Sequence, residues 1–275
     1  MFFFLFLKPI LANPIPVYAL PNRCLDPRYP TLHQGWVIGC DSAGLVDRAY
    51  HIQSMKTVYF DEGREFVGLG SGVQLGSAGV FNIERQTRDK TVRIRNATAP
   101  PIYSSERWGY TTQNEICIQK GRVTQKSAAN PRGWYPPAWW KDSLVWVEDD
   151  GKGGEDLWLW NPSQGSPKAL WTKGGNQRHP ISKGARLAWV EDNRIGLWED
   201  TELKFIESVS VVDRLALSQD RICWSQKNQG EDIDIYCHDG FVLKRSKHQT
   251  WPVLWKDYLL FREDGLMMLY QFSKK

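Results

Sequence analysis

Residues Pro137-Ala138-Trp139-Trp140-Lys141-Asp142-Ser143-Leu144-Val145-Trp146 carry the pattern that decides the fold. A proline opens a short apolar strand, Lys141-Asp142 makes a turn, and a second hydrophobic strand ends in an aromatic nine positions after the proline. The same order returns in Pro180-Ile181-Ser182-Lys183-Gly184-Ala185-Arg186-Leu187-Ala188-Trp189 and in Pro252-Val253-Leu254-Trp255-Lys256-Asp257-Tyr258-Leu259-Leu260-Phe261. Looser copies start at Pro101, closing on Tyr110, and at Pro30, leading into Trp36-Val37-Ile38.

The spacing between copies is that of a repeat protein. Pro101 to Pro137 is 36 residues and Pro137 to Pro180 is 43, while Pro30 to Pro101 (71) and Pro180 to Pro252 (72) are two units each. The two starts without a proline fall near Phe66 and Leu215, the second leading into Asp220-Arg221-Ile222-Cys223-Trp224. After each aromatic comes a polar loop and another alternating strand, as in Gly154-Glu155-Asp156-Leu157-Trp158-Leu159-Trp160 and Asp232-Ile233-Asp234-Ile235-Tyr236. Short strands separated by turn residues, with nothing sizeable that reads as helix, make a hairpin in every unit. Units of four short strands at this period are propeller blades. The sequence therefore predicts an all-β, seven-bladed β-propeller, with a six-bladed ring as the alternative because the Phe66 unit is weakly marked. The last unit has no room for a fourth strand, so an N-terminal segment around Pro16-Val17-Tyr18-Ala19-Leu20 is expected to complete it and cover its open edge.

The string Gly175-Asn176-Gln177-Arg178-His179-Pro180 through Trp189, and Leu144-Val145-Trp146 followed by Gly154 to Leu159, resemble the repeat of TolB-like propellers of bacterial cell envelopes. The resemblance covers residues 130–270 well and 24–130 poorly. It implies a protein-interaction module of the periplasm or cell surface. Related seven-bladed propellers include polysaccharide lyases, so the resemblance implies little about activity.

Composition narrows the classes. The chain has 275 residues with a formal net charge of +4 and no clustered basic face in the sequence, which argues against nucleic acid. Met1 to Ala12 is a short apolar run ending in small residues, the form of a secretory signal, with cleavage expected near Ala12 or Ala19. Residues 1–19 are read as that signal and 20–275 as a single propeller domain. The run is too short to cross a bilayer as a helix, so the expected product is periplasmic or secreted, without stable membrane insertion.

The cysteines are Cys24, Cys40, Cys117, Cys223 and Cys237, with no C-x-x-C pair to suggest a zinc site. Cys223 and Cys237 are equidistant from Gly230 in a hairpin, so they face each other and are expected to form a disulfide in an exported protein. Cys24–Cys40 is a weaker second pairing that leaves Cys117 free.

No catalytic constellation stands out. No histidine pair has metal-ligand spacing, Gly68-Leu69-Gly70-Ser71-Gly72 lacks the Lys-Ser/Thr of a phosphate loop, and Ser71 fails the nucleophile-elbow spacing. The acidic stretch Glu148-Asp149-Asp150-Gly151-Lys152-Gly153-Gly154-Glu155-Asp156 lacks EF-hand spacing. No cofactor, metal or catalytic residue is expected. Trp146, Trp189, Trp224 and Phe261 recur at blade period and are read as packing. Trp134, Tyr135, Trp139, Trp140 and Trp251 cluster around the unit-opening prolines. With Tyr29, Arg178, His179 and His248 they are expected to line an aromatic, mildly basic mouth where loops converge. The expected function is a non-catalytic scaffold binding a protein or peptide of the cell envelope there. The alternative is a glycan-binding or polysaccharide-cleaving propeller, with His179, His248 and Arg178 as acid–base groups.

Overall fold

The computed structural model describes residues 15–16, 32–33, 35–40, 46–54, 56–64, 66–67, 72–75, 80–82, 87–89, 94, 96–99, 101–104, 106–132, 135–173, 175–207, 210–228, 232–245, 247–264 and 266–272.

In chain order the strands are β1 (Ile15–Pro16), β2 (Leu32–His33), β3 (Trp36–Cys40), β4 (Val46–His51), β5 (Thr57–Arg64), β6 (Phe66–Val67), β7 (Gly72–Leu75), β8 (Val80–Asn82) and β9 (Thr87–Asp89). There follow β10 (Ile102–Ser104), β11 (Arg107–Thr111), β12 (Glu115–Lys120), β13 (Val123–Ala128), β14 (Ala138–Trp140), β15 (Ser143–Asp149), β16 (Glu155–Trp160) and β17 (Lys168–Trp171). The chain ends with β18 (Gln177–Lys183), β19 (Arg186–Glu191), β20 (Arg194–Glu199), β21 (Glu202–Ile206), β22 (Val211–Leu217), β23 (Ile222–Lys227), β24 (Ile233–Cys237), β25 (Val242–Leu243), β26 (Gln249–Trp255), β27 (Tyr258–Glu263) and β28 (Leu266–Gln271).

These strands group into seven antiparallel sheets of four: β2 to β5, β6 to β9, β10 to β13, β14 to β17, β18 to β21, β22 to β25, and a last sheet in which β1 joins β28, β27 and β26. First strands of successive sheets lie side by side, β10 with β14, β14 with β18, β18 with β22, β22 with β26, and β26 with β2. The arrangement is a propeller with the first strands innermost. Its closing strand is Ile15–Pro16, pairing Ile15 with Leu269 and Pro16 with Met268. Residues 17–20, expected to extend that strand, lie outside the described residues.

Each unit repeats one packing scheme. The aromatic in the middle of the second strand is buried in every regular blade: Trp146, Trp189 and Phe261 at 0% exposure and Trp224 at 6%. The residue two positions on satisfies the indole N–H. Trp146 Nε1 donates to Glu148 Oε2 at 2.9 Å, Trp189 Nε1 to Glu191 Oε2 at 3.3 Å, and Trp224 Nε1 to Gln226 Oε1 at 3.0 Å. A buried indole N–H left without an acceptor would cost about 1–3 kcal/mol. Apolar clusters span adjacent blades, joining β12 to β15, β15 and β16 to β19, β19 and β20 to β22 and β23, and β23 and β24 to β26 and β27.

Two-residue loops join β14 to β15 and β26 to β27. Their first residues, Lys141 (φ +54°) and Lys256 (φ +49°), take the left-handed conformation that tight hairpins require, where the β18–β19 loop has Gly184. Each lysine ammonium lies over the preceding indole, 4.9 Å from Trp140 and 4.6 Å from Trp255.

Cys223 and Cys237 pair across β23 and β24 and are disulfide-bonded, with 4.0 Å between their Cα atoms. Cys117 is a free, buried thiol whose pKa burial pushes up. Cys24, Gly230 and Gly68 to Ser71 lie outside the described residues. Within those residues no helix is long and apolar enough to cross a membrane.

Trp139 and Trp140 depart from the expected mouth. They are 7% and 8% exposed and sit at the turn end of β14, away from its opening proline. Adjacent residues of a strand point to opposite faces, so the two indoles enter different neighbours. Trp139 Nε1 donates to the Ile102 carbonyl at 3.2 Å and Trp140 Nε1 to the Ala185 carbonyl at 2.7 Å.

Candidate functional site

The opening of β18 is built from Gln177-Arg178-His179-Pro180. Gln177 is wholly buried, and its Nε2 donates to the carbonyls of Lys173 (3.4 Å) and Gly175 in the preceding loop. The register then slips. Arg178 pairs with Val190 and Ile181 with Ala188, so His179 and Pro180 together face the single Trp189. This is a β-bulge, a device that re-aims a side chain out of the strand's alternation. His179 has φ +52°, a conformation uncommon outside glycine, which costs of order 1–3 kcal/mol and persists only where its surroundings impose it.

The preceding blade supplies the rest. Pro131 bridges Glu148 and Ala138 pairs with Val145, so the chain between carries extra residues before β14 takes up its register. Arg132 and Tyr135 belong to this insertion. The Tyr135 ring meets the His179 imidazole edge-on, with centroids 4.8 Å apart and planes at 76°. Glu155, 11% exposed at the start of β16, lies 3.8 Å from Arg178 Nε and 3.6 Å from Arg132 Nε. It also hydrogen-bonds the Tyr135 side chain. Arg132 Nη2 pairs with Asp149 Oδ2 at 3.0 Å. Burial holds the Glu155 carboxyl above its ordinary pKa against the opposing pull of both guanidiniums. The result is a compact polar group of Tyr135, His179, Arg178, Arg132, Glu155 and Asp149 between two blades. It can offer charge-assisted hydrogen bonds to a polar ligand.

His248 and Trp251 occupy a second junction, between the blades of β22 to β25 and β26 to β28. His248 Nδ1 accepts the Ile233 N–H at 3.1 Å, and the Arg262 guanidinium lies 4.6 Å from the centre of the Trp251 ring. Arg245 pairs with Glu263 at 2.8 Å and Lys247 with Asp264 at 2.6 Å. The expected mouth thus divides. Tyr135, Arg178 and His179 meet at one junction, and His248 and Trp251 sit at another. Tyr135 is 9% exposed and acts as a support, not as an open stacking face. Tyr29 and Trp134 lie outside the described residues.

The sequence pattern does not single out Arg132, and it shows Asp149 and Glu155 only as members of an acidic hairpin. Within that hairpin, Asp150 Oδ1 accepts the Lys152 and Gly154 N–H groups (2.7 and 2.8 Å), which lower its pKa and explain the run as turn chemistry. Among the described residues no three His, Cys, Asp or Glu side chains are grouped to hold a metal.

No protein-family model and no curated protein matches the sequence. Solved structures do match. BamB from Moraxella catarrhalis is 15% identical with a TM-score of 0.56, over 94% of this chain and 88% of its own. Virginiamycin B lyase from Staphylococcus aureus is 11% identical with a TM-score of 0.55, over 87% of this chain and 92% of its own. The Pyrococcus horikoshii acylaminoacyl peptidase is 11% identical with a TM-score of 0.65, over 89% of this chain but 50% of its own. The likeness at these identities is one of fold, and the fold of this chain is the β-propeller.

Proposed function

We propose that the chain is an exported, non-catalytic propeller of the TolB-like kind, a seven-bladed ring that binds a protein or peptide where the first strands begin. The observation that carries the reading is the polar group at the opening of β18, where the His179 imidazole meets Tyr135 edge-on beside the paired Arg178 and Glu155. Charged groups gathered in this way suit recognition of a polar ligand. Export is supported by the apolar Met1–Ala12 run and by the Cys223–Cys237 disulfide, a bond that lasts in oxidising compartments. Cleavage after Ala12 leaves the closing strand Ile15–Pro16 on the mature chain, whereas cleavage at Ala19 removes it.

Likeness to propellers described as a lyase and as a peptidase means that the fold does not choose between scaffold and enzyme. The test is site-specific photocrosslinking in the source cells, with the crosslinker at position 179, at 251, and at the turn residue Lys183 as control. A discrete adduct at 179 or 251 that is missing at 183 supports the reading. Labelling equal to that at 183 sinks it. A glycan array run with wild type and Arg178→Ala decides the carbohydrate alternative: binding lost in the variant favours it, and no binding removes it.

A further inference from the structure

The fourth strand of every propeller blade has one unpaired edge, a template for another chain unless it is blunted. Three of the outer strands here are blunted: β25 has two residues, and β17 and β5 pair with slips of register. β21 runs in unbroken register but is acidic, with Glu202 and the neighbouring Glu199 both within reach of Lys204.

β13 is different. All six residues, Val123 to Ala128, pair with β12 in unbroken register. It holds no proline, glycine or bulge, and its burial pattern is mostly exposed. Val123, at 67% exposure, is the most exposed large apolar side chain among the described residues. The hairpin that carries it is also cationic: Lys120 ends β12, Arg122 lies in the turn and Lys126 is on β13, all three exposed, and Glu115, 2.8 Å from Lys126, is the acid paired with this group among the described residues.

We propose that β13 is a docking edge that takes an extended, acid-rich segment of a partner protein as a fifth strand of its sheet. Backbone hydrogen bonds would supply the pairing and the three cations the preference for acid. A second copy of this chain is the poorer occupant. Pairing the edges of two copies gathers two cationic hairpins, and like charges across a strand pair are destabilising. The edge lies on a different blade from His179 and does not depend on the reading above.

The experiment uses the mature full chain and two fluorescein-labelled ten-residue peptides of alternating valine and glutamate or valine and lysine. Anisotropy should show the glutamate peptide binding about tenfold tighter or better than the lysine peptide. Arg122→Glu with Lys126→Glu should reverse that order. Hydrogen exchange on the wild-type chain should show protection gained at residues 123–128 when the glutamate peptide is added. That readout stands even if the double variant folds poorly. Equal binding of the two peptides overturns the proposal, as does self-association without peptide binding. Protection at residues 175–180 in place of 123–128 overturns it too, while leaving the His179 reading intact.

Discussion

Two strand openings, Gln177 to Pro180 on β18 and Gln249 to Pro252 on β26, share a backbone and differ in what they carry. In both, a wholly buried glutamine turns its amide back onto the preceding loop, Gln177 to Lys173 and Gly175, Gln249 to Lys247. In both, the register slips by one residue opposite a fully buried aromatic, Trp189 or Phe261. In both, the residue before proline is left-handed, with φ +52° at His179 and +54° at Trp251. Beyond that they part. His179 meets Tyr135 beside Arg178 and Glu155, whereas Trp251 lies under Arg262. The position matching Glu155 at the second junction is Ile233, which cannot titrate. These two units therefore share a frame of glutamine, bulge, proline and aromatic, and a layer above it differs between them.

The strongest way to break this comparison is to remove the aromatics beneath the two bulges. Trp189→Ala and Phe261→Ala should each cost about 3–5 kcal/mol, the range for deleting a fully buried large aromatic. Urea denaturation of both variants measures it. A loss below about 1 kcal/mol at one site alone would show that the two blades are not equivalent.

Next in size are the glutamines. Gln177→Ala and Gln249→Ala each strip donors from loop carbonyls and should cost about 1–3 kcal/mol. The two losses should match, since the amides do the same task. If either substitution is neutral, water serves those carbonyls equally well and the amide is not part of the frame.

How far these features could be read in advance follows from their physical origin. The hairpins and the Cys223–Cys237 pair come from local alternation and turn chemistry, which one unit shows on its own, and the period follows from comparing units. Gln-x-x-Pro at 177–180 and 249–252, and the acid or amide two residues after each tryptophan, were equally present in the letters. Their role depends on which groups become buried, so only the folded chain explains them. The Tyr135–His179 contact joins residues of two blades across an insertion of irregular length, and no period predicts it. Trp139 and Trp140 looked like one aromatic patch because they are adjacent. Strand alternation sends them apart into opposite neighbours, and both end buried.

A smaller effect tests the strain assigned to the two left-handed residues. His179→Gly and Trp251→Gly remove the steric conflict at positive φ but also surrender ring contacts and raise the entropy of the unfolded chain. Stability should change by less than about 1 kcal/mol in either direction. His179→Ala, which keeps the conflict and loses the ring, should fall below His179→Gly in thermal denaturation. If alanine matches or exceeds glycine, positive φ costs nothing at this position.

The smallest effect separates the junctions by pH. Burial raises the Glu155 pKa above its ordinary value of 4.5, so in the window that begins there the folded chain holds its proton more firmly than the unfolded chain does. The contribution of this group to stability is present at low pH and is lost as pH rises through the raised value. Glu155→Gln removes the titration and leaves the other carboxylates in place. The stability of wild type relative to this variant should therefore decline as pH rises above the ordinary carboxyl value of 4.5, measured as the shift in urea midpoint at each pH. The second junction has Ile233 in this place, so Ile233→Val should run parallel to wild type over the same range. A wild-type advantage that grows with pH would mean that Arg178 and Arg132 outweigh burial. Glu155 would then be held mainly as their counter-ion, and a ligand acid arriving at Arg178 would have to displace it.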